Sequence, residues 1–124
     1  MDKSVNNLPK ELSNQLVAIN LDFATTNYQD AAKMTAILQQ LLGIDLYFVL
    51  ETKAKNNHYH LHSYFDNAIH QLTDRQISLT LIKYFGGKSF KLKTVFDLQG
   101  WRNYMSKNGN PIHAIIDGKF IERT

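Results

Sequence analysis

The chain has 124 residues, 44% hydrophobic and 20% charged, with a net charge of +3 and a pI near 9.1. That is material for one domain, residues 1–124, with a real core and a basic balance that suits a nucleic-acid partner without requiring one. The absence of cysteine excludes disulfide scaffolds, thiolate zinc sites and cysteine nucleophiles. No apolar leader opens the sequence and no window approaches a membrane span, so a soluble intracellular protein with no membrane partner is expected.

Residues 16–23, "LVAINLDF", predict a first strand. Asn27 is placed to cap a helix with Asp30 in its first turn. Ala31, Met34, Ile37, Leu38, Leu41 and Leu42 then recur at helical spacing until Gly43 stops it. Residues 45–52, "DLYFVLET", predict a strand covered on both sides. "KAKNN" is a turn, and "HYHLHSYF", residues 58–65, a third strand.

Thr73 and Gln76 form a capping-box pattern. Ile77, Leu81, Ile82 and Phe85 carry that helix to Gly86-Gly87. Residues 88–96, "KSFKLKTVF", alternate: Phe90, Leu92, Thr94 and Phe96 face one way, Lys91 and Lys93 the other. A short helix runs from Asp97 to about Lys107, pinned by Leu98, Trp101 and Met105. Asn108-Gly109-Asn110-Pro111 breaks it, and "IHAII" with "GKFIE" predicts a last strand or hairpin. The order β-α-β-β-α-β-α-β predicts an α+β fold: a central antiparallel sheet with helices packed on it, ferredoxin-like or split βαβ.

His58, His60 and His62 occupy alternate positions of the third strand, so a strand turns them to one face. A two-residue turn at Asn56-Asn57 sets Glu51 opposite His62, and a four-residue loop at 54–57 sets it opposite His60. A three-residue loop sets it opposite Leu61 and dissolves the site. Two imidazoles and a carboxylate suit a divalent cation with coordination positions open to a substrate oxygen. His58 could add a fourth ligand, and a plain polar strand face stands beside the metal reading. His70 and His113 have no evident partners.

Tyr104 and Lys107 lie three apart, adjacent on one helix face. Tyrosine is a poor nucleophile at neutral pH, and a nearby cation favours its phenolate and shields the phosphate it must approach. The pair is suited to attack on a phosphodiester. It equally fits a half-buried aromatic beside a solvated last-turn lysine.

Together these residues resemble the HUH endonuclease domain of the replication initiators (Rep proteins) of small circular single-stranded DNA viruses and rolling-circle plasmids. "FATTNY", residues 23–28, is similar to the family's first motif, with Ala24 where threonine is usual. His60-Leu61-His62 resembles its histidine–hydrophobic–histidine strand. Tyr104-Met105-Ser106-Lys107 resembles its Tyr-x-x-Lys motif, with Asn108 where an acid is common. The resemblance implies an HUH-type sheet fold in which Glu51, His60 and His62 hold Mn²⁺ or Mg²⁺. It implies that Tyr104 attacks single-stranded DNA to form a 5′-phosphotyrosine, that Lys107 assists, and that freed ends are rejoined without ATP. Origin stem-loop DNA is the implied partner. Thr25, Asn27, Tyr28, Lys91, Lys93 and Arg102 are the candidate DNA contacts, with the aromatics Tyr59, Tyr64, Phe90 and Phe96 interleaved. No P-loop follows the motifs, so a helicase or ATPase would come from elsewhere, either a removed domain or a separate protein. A viral source of eukaryotic host implies the nucleus and a plasmid source the cytoplasm. A small single-strand transposase, a relaxase and a non-catalytic nucleic-acid-binding module are the alternatives.

Overall fold

A computed structural model describes residues 15–86 and 88–121. The expected absence of a leader at residues 1–14, Gly87 and the strand end at Glu122 lie outside them. In chain order the elements are β1 (Leu16–Asp22), α1 (Tyr28–Leu42), β2 (Leu46–Thr52), β3 (Tyr59–Asp66), α2 (Asp74–Phe85), β4 (Phe90–Val95), α3 (Leu98–Met105), β5 (His113–Ile116) and β6 (Lys119–Ile121).

The strands form one sheet in the order β4-β1-β3-β2-β5-β6, every neighbouring pair antiparallel. Its first four strands carry the split βαβ arrangement: β3 lies between β1 and β2, and β4 closes the far edge. The fold is thus α+β, among the described residues a six-stranded antiparallel sheet with three helices against it, as the sequence predicts.

Local chemistry explains where the helices start and stop. Asn27 Oδ1 accepts from the Asp30 backbone N–H at 2.9 Å, and Gly43 ends α1 in the left-handed region at φ +66°. The α2 capping box is complete: Gln76 N–H donates to Thr73 Oγ1 at 3.1 Å, and the Gln76 side chain accepts from Thr73 N–H at 2.8 Å. Asp97 Oδ1 accepts from Gly100 N–H at 3.0 Å to start α3.

One face of the sheet is closed by α1 and α2. Val17, Ile19, Leu21, Leu61 and Phe65 of the strands meet Ala31, Leu38, Ile77, Leu81 and Phe85 of the helices there. The other face carries a smaller cluster, where Trp101 and Met105 of α3 sit on Ala18, Val49, Tyr64 and Val95.

Some expectations change. Ile37 and Leu41 of α1 and Ile82 of α2 share the helical period but are exposed, because each helix is covered by the sheet along a narrower stripe than its apolar residues span. Phe96 is 81% exposed: β4 ends at Val95, and the chain turns toward the Asp97 cap before Phe96 can join the sheet. Helix α3 ends at Met105, two residues short, so Lys107 lies in the following turn. Its N–H still bonds to the Tyr104 carbonyl at 3.3 Å, which preserves the helix-like spacing of the pair.

Candidate functional site

The topology brings the distant motifs together. β4 ends at one side of the sheet and β5 pairs with β2 beyond the other, so the intervening chain crosses the less covered face. Helix α3 is that crossing, and it carries Tyr104 and Lys107 over β3 and β2. Trp101 anchors it, buried, with its indole N–H donating to the Ser63 carbonyl of β3 at 3.3 Å.

The β2–β3 turn sets the histidine row. Lys53 N–H bonds to the His58 carbonyl at 3.2 Å, leaving a four-residue loop at 54–57. Asn57 takes φ +60°, and Asn56 Oδ1 accepts from His58 N–H at 2.9 Å, so the two asparagines supply the turn chemistry. Glu51 therefore pairs with His60 and shares a face with His60 and His62. Its side chain, however, reaches the diagonal neighbour: Glu51 Oε1 lies 3.1 Å from His62 Nε2.

Glu51 is the hub, and it is 8% exposed. Lys107 Nζ donates to Oε1 at 3.2 Å, and Asn108 Nδ2 donates to Oε2 at 3.0 Å. Burial pushes its carboxyl up, but the bonds from Asn108 and Lys107, with the charges of Lys107 and His62, outweigh that and hold it below its ordinary value. An acid at 108 would meet this carboxylate directly, which accounts for the asparagine there. His62, also buried, is lowered by burial against the opposing pull of Glu51; its Nδ1 lies 2.9 Å from Asn20 Oδ1.

Tyr104 stands edge-on to His62, ring centroids 5.6 Å apart, and stacks on Trp101 at 5.2 Å. The Lys107 ammonium lies over the Tyr104 ring, 4.2 Å from its centroid. Lysine thus bridges the tyrosine and the carboxylate. Tyr104 is 43% exposed, so its ring is open to solvent.

His60 does not join this cluster. It faces β1, where Asp22 is its register partner, and its Nε2 lies 3.6 Å from Asp22 Oδ2. Burial lowers its pKa despite Asp22. His58 Nδ1 lies 3.6 Å from Asp22 Oδ1. The row of three is thereby split, His62 toward Glu51 and His58 with His60 toward Asp22.

Glu51 and the histidines are cation donors in kind. The 3.1 Å between Glu51 Oε1 and His62 Nε2 is a hydrogen-bond distance. The buried His60 Nε2 has no hydrogen-bond partner. As placed, no group of three or more His, Cys, Asp or Glu side chains among the described residues is drawn tightly enough to hold a metal ion. Glu51, His62 and His60 are the donor types that suit a divalent cation, with His60 set apart from the other two.

The candidate DNA contacts divide. Lys91 and Lys93 pair with Asn20 and Ala18 and so lie on the histidine face, exposed; Lys93 Nζ sits 4.5 Å from the Trp101 ring centroid. Tyr28 lines a cleft with Glu51, Tyr59, Asn108 and Asn110, which brings the first motif to the site. Thr25 and Asn27 are occupied locally: Thr25 Oγ1 accepts from Asn27 N–H at 3.1 Å, and Asn27 caps α1. Arg102 donates to the Tyr64 hydroxyl and lies against that ring, which stacks on Tyr47. His113, expected to be alone, packs on Phe48 and Phe120.

Sequence reasoning missed Asn20, Asp22 and Asn110. Asn20 and Asp22 are the polar positions of an otherwise apolar strand, two apart like His60 and His62, and that matched alternation was the available signal. Asn110 Nδ2 comes within 3.5 Å of Glu51 Oε2 from a loop no local rule places.

No helix among the described residues is long and apolar enough to cross a membrane. No family model, no curated protein and no solved structure matches the chain.

Proposed function

We propose that this chain is a single-tyrosine, metal-dependent endonuclease of the HUH replication-initiator type, nicking and rejoining single-stranded DNA. The observation that carries the reading is the Lys107 ammonium, 4.2 Å from the Tyr104 ring centroid and 3.2 Å from Glu51 Oε1, beside the histidine strand. Residues some fifty positions apart in sequence meet on one sheet face in the combination that attack on a phosphodiester needs.

In this reading the Tyr104 oxygen attacks the scissile phosphorus and loses its proton. The bond from phosphorus to the 3′ oxygen breaks, and that oxygen leaves and takes up a proton as a free 3′-OH. The 5′ phosphate stays on Tyr104 as a phosphodiester, so a later 3′-OH can reverse the step without ATP. Lys107 holds the Glu51 carboxylate and offers charge beside the tyrosine. Trp101 fixes the ring from behind, and Lys91 and Lys93 supply phosphate contacts along the face. Glu51, His62 and His60 would be the residues to hold Mn²⁺ or Mg²⁺, which would supply Lewis-acid polarisation of the phosphate. Origin stem-loop DNA and a helicase from another domain or protein remain the proposed partners.

The test is denaturing electrophoresis after incubation with Mn²⁺ and a randomised pool of single-stranded DNA. The expected result is a covalent protein–DNA band, absent with EDTA and reduced at least about 10³-fold in Tyr104→Phe, which keeps the ring but has no nucleophile. DNA binding without a band, or a band that survives Tyr104→Phe, overturns the assignment.

A further inference from the structure

Phe96 is the aromatic that the core leaves out. It follows β4, is 81% exposed, and lines an open cleft with Lys93, Asp97, Trp101 and Tyr104 where β4 gives way to α3. The cleft measures about 540 Å³, within the usual range of ligand pockets. The Trp101 ring is already covered, stacked with Tyr104 and carrying the Lys93 ammonium 4.5 Å from its centroid. Phe96 and Tyr104 are therefore the aromatic surfaces still open to a ligand. Gly100 adds no side chain to the wall, and a Cβ there would run into the Asp97 carboxylate. Charge gives the cleft a direction. Lys93 lies at one end, with Lys91 two residues back along β4, and Asp97 at the other, its Oδ1 accepting from Gly100 N–H at 3.0 Å. A phosphate is drawn to the lysine and repelled by the carboxylate, which can instead accept from an N–H on the edge of a base.

We propose that this cleft is a nucleobase subsite for single-stranded DNA: one unpaired base stacks on Phe96 with its edge toward Asp97, and its phosphate rests on Lys93. Stacking is tolerant of sequence because every base has a π-face. A base inside a duplex cannot enter, so the subsite selects unpaired strand. The proposal rests on single-stranded DNA as the substrate. Because Tyr104 lines the same cleft, the held nucleotide lies next to the phosphate that Tyr104 attacks in that reading.

Trp101 is the one tryptophan of the chain, so intrinsic fluorescence reports on this cleft. The whole protein is titrated with oligothymidylate, alongside Phe96→Ala, Phe96→Tyr and Lys93→Gln. Binding should quench Trp101, and Phe96→Ala should weaken it at least about fivefold while Phe96→Tyr, which keeps a ring, stays within about twofold of wild type. Lys93→Gln should lower the slope of log affinity against log salt by about 0.7, one phosphate contact on a single strand, and Phe96→Ala should leave that slope unchanged. Phe96 is exposed, so an unchanged urea midpoint in Phe96→Ala separates lost binding from lost folding. Wild-type protein that does not bind the oligomer, unchanged affinity in Phe96→Ala, or an equal loss for duplex DNA overturns the proposal. The two readings fail separately. Weakened binding in Phe96→Ala with no covalent band from wild type on any DNA sinks nicking and leaves the subsite standing. A covalent band formed equally well by wild type and Phe96→Ala at every DNA concentration sinks the subsite and leaves nicking standing.

Discussion

The two faces of the sheet are built from the same strands and put to opposite uses. Along β3, Leu61 and Phe65 point into the face closed by α1 and α2, while His60, His62 and Tyr64 point into the face that α3 crosses. The closed face is mostly apolar, and its buried polar groups Thr35, Gln39 and Ser63 each donate to a backbone carbonyl. The crossed face has a small apolar cluster around Trp101 and, beside it, a buried carboxylate, a buried imidazole and two unpaired ring nitrogens. A one-residue slip of β3 would exchange the two sets, so the closed face fixes the register on which the histidine face depends. Apolar packing is concentrated on one side of the sheet, and the buried ionisable groups Glu51 and His62 lie on the other.

The contrast breaks most sharply at Phe65, which has no exposure in the closed core. Phe65→Ala should cost about 3–5 kcal/mol of unfolding free energy, read from urea denaturation, because a large cavity opens between sheet and helices. Tyr104→Phe, on the crossed face, should stay within about 0.5 kcal/mol of wild type in the same measurement. Comparable losses from the two would refute the division of labour.

Acid should act on the crossed face. His60 and His62 are held below their ordinary value of 6.5, so as pH falls past that value the unfolded chain takes up protons that the folded one resists. Their contribution is complete above that value and is lost as pH drops through the lowered values. Glu51, lowered from 4.5, loses its contribution further into acid. The urea midpoint of the metal-free protein should therefore fall between about pH 7.5 and about pH 5.5. A flat midpoint over that window would mean that the histidines are not held in their neutral form.

What the sequence made legible were features a few residues long. The caps at Asn27, Thr73 and Asp97 are set by hydrogen bonds three residues apart, and the four-residue loop at 54–57 was one of a few countable registers. Pairings between distant strands were harder. Asp22 meets His60 and Asn20 meets His62 because β3 inserts between β1 and β2, a choice of topology that no local pattern encodes. The Glu51–His62 contact was half legible: register gave the face, but the diagonal reach depends on side-chain geometry and on Lys107 arriving from α3. Phe96 was read onto the strand because alternation does not say where a strand ends.

The smallest expected effect addresses the first motif, where one residue carries two candidate jobs. Asn27 Oδ1 already accepts from Asp30 N–H, so Asn27→Ala should cost about 1 kcal/mol through the lost cap, whatever its role with DNA. Asn27→Ser separates the jobs, since serine caps a helix as well as asparagine but lacks the amide that could donate to a phosphate or base. If the cap is the whole role, Asn27→Ser should match wild type in both urea stability and affinity for single-stranded DNA. If Asn27 also contacts DNA, stability should hold while affinity falls severalfold. Tyr28, the next residue, shares the cleft with Glu51, and so the second outcome would extend the crossed face's binding surface around the sheet to the start of α1.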